Sequence, residues 1–159
     1  MKKLLLNVAI AGVLFLAACK SSTVNYNDTV VNMYAKYTTE LQSLASNVEN
    51  AADAAAKKAA IDRLSFITDS CTKVMNDLKP SDDAQKFHTS VTDLYATVKS
   101  DFIPAYTKLL AIDKPEENVD AYNVVIEDVN KASQKITDLE SKAMTAQREF
   151  AAKTNTRLQ

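Results

Sequence analysis

Residues 119–150 read VDAYNVVIEDVNKASQKITDLESKAMTAQREF, a stretch without proline or glycine. Within it Val119, Tyr122, Ile126, Val129, Ser133, Ile136, Leu139, Ala143, Ala146 and Phe150 recur at steps of three and four. That is the spacing of one apolar stripe on an α-helix, and its length predicts a rod of about nine turns. The stretch is rich in Ala, Lys, Gln, Glu and Asp, mostly strong helix formers at positions where packing does not decide. Just upstream, Asp113 and Glu116 have capping-box spacing and Pro115 is tolerated in a first turn, so the helix is predicted to begin there.

Further toward the N-terminus the same period recurs three times. Ser81 is a good N-cap followed by Asp82 and Asp83, where the helix dipole favours negative charge. A seam of Ala84, Phe87, Val91, Leu94, Val98, Phe102, Tyr106 and Leu109 follows. Pro104 falls inside this seam and is expected to kink the helix near Ser100, whose carbonyl loses its amide partner, without ending it. A second seam runs Ala60, Leu64, Ile67, Cys71, Val74, Leu78 and is closed by Lys79-Pro80. The first runs Val30, Tyr34, Tyr37, Leu41, Leu44, Val48, with Asn27 or Asp28 as its cap. Phase separates these two, because 30 residues at about 100° each rotate the apolar face by roughly 120°. The polar stretch from Asn47 to Asp53 is the predicted turn, with Asn50 as left-handed cap and Asp53 opening the next helix.

Acid-before-base pairs four apart (Asp53 and Lys57, Asp69 and Lys73, Asp82 and Lys86, Glu127 and Lys131, Asp138 and Lys142) all fall inside these helices, in the order that favours a helical surface. Short connections make neighbours antiparallel, so the expected fold is all-α, an up-down-up-down four-helix bundle over residues 28–153 with a frayed end at 154–159. In that topology Phe150 lies near Val30. The turns at Asn47–Asp53 and Asp113–Glu117 then share one distal end, where a protein partner would dock.

The N-terminus has a different composition. Lys2 and Lys3 precede an apolar run from Leu4 to Ala18, which matches a secretory signal. It falls short of the roughly 20 residues a membrane-spanning helix needs. Leu16-Ala17-Ala18-Cys19 ends it, and Lys20, Ser21, Ser22 and Thr23 follow. These four residues resemble the lipobox of bacterial lipoproteins. The resemblance implies removal of residues 1–18, a diacylglycerol on the Cys19 thiol, often a further acyl chain on its amine, and a lipidated tether over 19–27. Two or three acyl chains hold a protein on a bilayer where one exchanges. The alternative is an ordinary signal cut after Ala18 that leaves Cys19 free. In enteric-type lipoproteins an Asp after the lipidated Cys retains the protein in the inner membrane; Lys20 lacks that signal, which implies the outer membrane. A Lys there also resembles the start of lipoprotein surface-export signals, but Ser21 and Ser22 stand where acids should follow, so surface and periplasmic faces both stay open.

Cleavage leaves 141 residues (159 − 18), with 17 basic side chains after loss of Lys2 and Lys3 from the 19, against 20 acidic. A chain of this length builds one domain with its own core. Its mild acidity argues against nucleic acid as a partner. Gly12, the one glycine, is also removed. Phosphate-cradling loops, dinucleotide fingerprints and nucleophile elbows need backbone conformations that glycine supplies, and tight β-hairpins favour it.

Candidate chemistry is sparse, and neither an enzyme nor a bound metal or cofactor is expected. A di-iron bundle needs Glu-x-x-His pairs, whereas His88 is the one histidine. Covalent haem needs Cys-x-x-Cys-His, which does not occur. Non-covalent haem between His88 and Met33, Met75 or Met144 is weighed against a structural histidine flanking Phe87 and methionines filling the core. Cys71 is either a small core residue or a free thiol in an exported chain. Tyr34, Tyr37, Tyr95, Tyr106 and Tyr122 lie on or beside seams. They either straddle bundle edges with wet hydroxyls or line a cavity for a small ligand. The expected function is thus a membrane-anchored structural or interaction lipoprotein, with a periplasmic ligand- or haem-binding bundle as the alternative.

Overall fold

The computed structural model describes residues 22–50, 53–112, 114 and 116–155, and for 22–25 and 44–50 the backbone alone. Cys19 and the expected signal segment lie outside these residues, as do Asp113 and Pro115 of the expected capping box. The described residues are all-α, without a strand. Helix α1 spans Ser22–Asn50 and α2 spans Ala54–Asp77. A 3₁₀ turn at Asp82–Ala84 leads into α3, Gln85–Thr97. A π-helical turn, Val98–Phe102, joins α3 to α4, Ile103–Leu110, so these form one interrupted rod. Helix α5, Val119–Thr154, is the fourth rod. No helix among the described residues is long and apolar enough to cross a membrane.

Several helix ends follow from local chemistry. The Asp53 carboxylate accepts from the Ala56 amide at 2.8 Å, the N-cap expected there. Ser81 caps the 3₁₀ turn by position, without a side-chain bond. Pro104 has no amide to offer Ser100, and the chain answers by widening: the Ile103 amide reaches back to the Val98 carbonyl, one residue farther than in an α-helix. The extra residue rotates the buried stripe, so Ala105 and Leu109 are buried while Tyr106 is half-exposed and stacks on Phe102 at 5.4 Å. Asn155, with φ of 52°, ends α5 in the left-handed conformation and bonds the Ala151 carbonyl.

Three expectations need correction. The first helix does not begin at Asn27 or Asp28 but at Ser22, because Tyr26 and Asn27 are drawn into the core. Residues 22–27 of the expected 19–27 tether therefore belong to α1, and residues 19–21 lie outside the described residues. Helix α5 begins at Val119 after a turn through Glu116 and Glu117, so Glu116 is no part of its first turn. Of the five acid–base pairs, Glu127 and Lys131 close at 2.8 Å. Asp69 and Lys86 instead pair between helices, with Lys99 at 2.5 Å and Glu149 at 2.6 Å, because the bundle brings those charges nearer.

The core follows the seams with one drift. In α2 the buried set is Ala60, Ile61, Leu64, Ile67, Thr68 and Met75, and Val74 faces outward, 40% exposed. An α-helix turns slightly more slowly than a strict seven-residue repeat, so the buried stripe slides forward from Ile67 to Thr68 and from Val74 to Met75. Phe150 stacks on Phe87 at 6.2 Å and receives the edge of Tyr26 at 6.1 Å, joining α1, α3 and α5 at one end.

Candidate functional site

The polar groups inside the core lie mainly where α1 meets the other helices. Tyr37 bonds Thr68 of α2 at 3.1 Å, and Thr68 in turn donates to its own Leu64 carbonyl at 2.8 Å. One turn earlier on α1, the Tyr34 hydroxyl donates to Glu140 Oε1 of α5 at 2.5 Å. Tyr95 of α3 is fully buried, its ring edge-on to Tyr37 at 4.9 Å. Its hydroxyl has no hydrogen-bond partner of good geometry; the Cys71 thiol is the polar group beside it. Tyr34, Tyr37 and Tyr95 thus converge with Thr68, Cys71 and Glu140 into one hydroxyl-rich cluster. Tyr106 and Tyr122 sit elsewhere, both partly buried.

Burial governs the proton affinities here. It pushes the Tyr34, Tyr37 and Tyr95 hydroxyls well above the ordinary phenol range, so all three remain neutral donors. Burial also raises the Glu140 carboxyl, a shift that the Tyr34 hydrogen bond partly offsets by favouring the anion. The half-buried Cys71 thiol is raised for the same reason, which keeps it protonated and a poor nucleophile.

His88 is brought to a different partner. Its Nδ1 lies 2.9 Å from the Tyr26 hydroxyl, and its pKa is lowered by desolvation. Tyr26 and Tyr37 are 11 residues apart on α1, about 16 Å along the axis, so His88 and Cys71 belong to separate regions. Beside the histidine, the Asn27 carbonyl accepts from the Gln147 amide at 3.0 Å, both side chains buried. Met75 is fully buried, and Met33 and Met144 are half-buried. Between α1 and α5 a cleft of about 40 Å³ is lined by Val31, Tyr34, Val91, Glu140, Met144 and Gln147 among others. It has room for about one water molecule, far below the several hundred Å³ of a haem or drug-sized site. No group of three or more His, Cys, Asp or Glu side chains among the described residues is arranged to hold a metal ion.

Sequence reading missed Tyr26, Asn27, Thr68, Glu140 and Gln147. A signal was present: Ile136, Glu140, Ala143, Gln147 and Phe150 keep steps of four and three, as do Leu64, Thr68, Cys71 and Met75. Reading polar identity as exposure hid it. Comparison with known protein families, with curated proteins and with solved structures yields no match.

Proposed function

We propose that this chain is a lipid-anchored envelope protein, a structural or interaction lipoprotein carried by an up-down-up-down four-helix bundle. The observation that carries the reading is the closeness of the Leu16-Ala17-Ala18-Cys19 motif to the folded domain. Only Lys20 and Ser21 separate Cys19 from the first residue of α1, and Tyr26 is already core. Two extended residues reach roughly 7 Å, so acyl chains on Cys19 would hold the domain against the bilayer and present its long helical sides to partners. The alternating topology is supported by contact order. Tyr37 meets Thr68 and Glu40 meets Arg63, while Lys86 meets Glu149 and Asp101 meets Lys135. Tyr26 against Phe150 supports placing the two helix ends together at the anchored end of the bundle, with a protein partner meeting the distal turns.

Lys20 in place of Asp favours the outer membrane. The test is growth with a radiolabelled fatty acid followed by envelope fractionation. The chain should incorporate label and sediment with outer membranes, and Cys19→Ala should abolish both. Retention of the Ala variant in the membrane after alkaline carbonate washing would overturn the anchor.

A second reading, small-ligand binding in the hydroxyl cluster, is favoured by the buried Tyr95 hydroxyl, which has the Cys71 thiol beside it but no well-aligned partner. A small hydrogen-bonding molecule that entered the bundle there would give that group a better-aligned partner. Native mass spectrometry of the chain from its own envelope tests it, since retained mass that disappears in Tyr95→Phe is the expected signature.

A further inference from the structure

The outward face of α2 carries a pattern that the core does not use. Arg63, Phe66, Ser70, Val74 and Asp77 lie within about 80° of the helix circumference and span roughly 21 Å of its length. Phe66 is 63% exposed and Val74 40%, two of the four large apolar side chains exposed among the described residues. They border an open groove of about 480 Å³ between α1 and α2, whose other wall includes Thr29, Asn32 and Met33. Read from either end, the stripe runs charge, apolar, small, apolar, charge, with opposite signs at its two ends. An antiparallel two-fold axis through Ser70 places each residue opposite the one equally far on the other side. Phe66 of one copy then faces Val74 of the other, and Arg63 faces Asp77, each contact made twice.

We propose that this face is a self-association surface, through which two copies of the chain pack α2 against α2 in antiparallel register, a pairing that sets the two Cys19 ends at opposite ends of the dimer and so rests on both anchored bundles lying along the bilayer. Three local features fit that occupant. Ser70 at the axis is small enough for the backbones to approach. Its hydroxyl already donates to the Phe66 carbonyl at 2.8 Å, so burying it strands no donor. Asp77 is exposed and has no ion-pair partner among the described residues, while Arg63 holds Glu40 only at 3.4 Å and leans over the Phe66 ring at 5.8 Å. Asp77 therefore keeps a charge for the opposite copy, for which Arg63 would exchange its long pair with Glu40, and the apolar pair between them is the centre that excludes water. A different protein would have to match this reversed order of signs; a second copy matches it by symmetry.

The test is sedimentation equilibrium of the full chain in density-matched detergent, with circular dichroism to show that each variant stays helical. The wild type should dimerise. Asp77→Arg sets arginine against Arg63 at both ends and should weaken the dimer about tenfold, as should Arg63→Asp. The double variant R63D/D77R restores opposite signs and should recover the wild-type affinity. Phe66→Glu should leave monomers. A wild type that stays monomeric overturns the proposal and gives the stripe to another partner. A dimer indifferent to Asp77→Arg and Phe66→Glu, or a double variant no better than either single one, overturns it too. The substitutions are all at exposed positions, so the charge swap remains decisive even if Phe66→Glu disturbs folding.

Discussion

Helix α5 meets α3 through small and apolar side chains and, apart from Phe150 against Tyr26, meets α1 through hydrogen-bonded polar ones, although both contacts lie in one continuous core. Against α3 it offers Ala143, Ala146 and Phe150 and against α4 Val129 and Ala132, and the alanines let the backbones run close together. Against α1 it offers Glu140 to Tyr34 and Gln147 to Asn27. The difference separates two jobs. Apolar contact supplies stabilisation that is nearly indifferent to small slips along the axis, since one alanine resembles the next. Buried polar pairs add little net free energy but are costly when mismatched, so they fix where α1 sits.

Phe150 belongs to both interfaces, and breaking it should have the largest effect. Phe150→Ala removes the stack on Phe87 and the edge contact with Tyr26 together, leaving a cavity where three helices meet. Urea unfolding should show a loss of about 3–5 kcal/mol. A loss below about 1.5 kcal/mol would mean that the end of the bundle collapses to refill the space.

The polar side is tested next. Asn27→Ala leaves the Gln147 amide buried without its acceptor and should cost about 1–3 kcal/mol. Replacing both residues, as N27L/Q147L, should recover most of that stability. Hydrogen exchange should then find α1 less uniquely seated, because nothing specific fixes its register. If the double variant is as unstable as the single one, the pair supplies stability and not position.

Glu140 offers a smaller effect with a defined sign. Its folded pKa is raised by burial, so the folded state holds the proton at pH values where the unfolded state has lost it. Its contribution to stability is therefore best below the ordinary carboxylate pKa and declines as pH rises through the raised one. His88, lowered by desolvation, acts oppositely and costs stability as pH falls below its ordinary range of about 6.5. The difference between Glu140→Gln and wild type isolates the carboxyl. The substituted side-chain amide keeps an acceptor for Tyr34, so the variant should gain on wild type as pH rises from about 4 to 7, by up to roughly 1 kcal/mol. A difference that is flat with pH means that Glu140 ionises as freely folded as unfolded.

How much of this was legible in the residues alone divides along the same line. The side where α5 meets α3 and α4 was readable, since Phe87, Val91, Leu94, Val129, Ala143, Ala146 and Phe150 announce themselves by period and are buried as expected. Even the break at Pro104 could be placed, because a missing amide has one defined victim four residues back. The α1 side was not. A buried Asn27 or Gln147 obeys the same period as its apolar neighbours, but whether a polar residue on a seam finds a partner depends on a side chain 120 positions away. Periodicity carries no information about such pairs. The start of α1 was missed for that reason: Tyr26 and Asn27 looked like tether and cap until His88 and Gln147 stood opposite them.

The smallest expected effect discriminates most finely between paired and unpaired hydroxyls within the tyrosine cluster. Tyr37→Phe removes a hydroxyl that bonds Thr68, and should cost about 1 kcal/mol. Tyr95→Phe removes one that is buried without a well-aligned partner. The lost oxygen leaves a gap smaller than a methyl group, while the desolvation that the hydroxyl suffered in the folded state disappears with it. The two terms nearly cancel, so Tyr95→Phe should leave stability unchanged or raise it, within about 1 kcal/mol. Paired urea titrations of the two variants measure the contrast directly. If Tyr95→Phe costs as much as Tyr37→Phe, the Tyr95 hydroxyl has a partner after all, with the Cys71 thiol the nearest candidate. Repeating the measurement in a Cys71→Ala background should then abolish the cost.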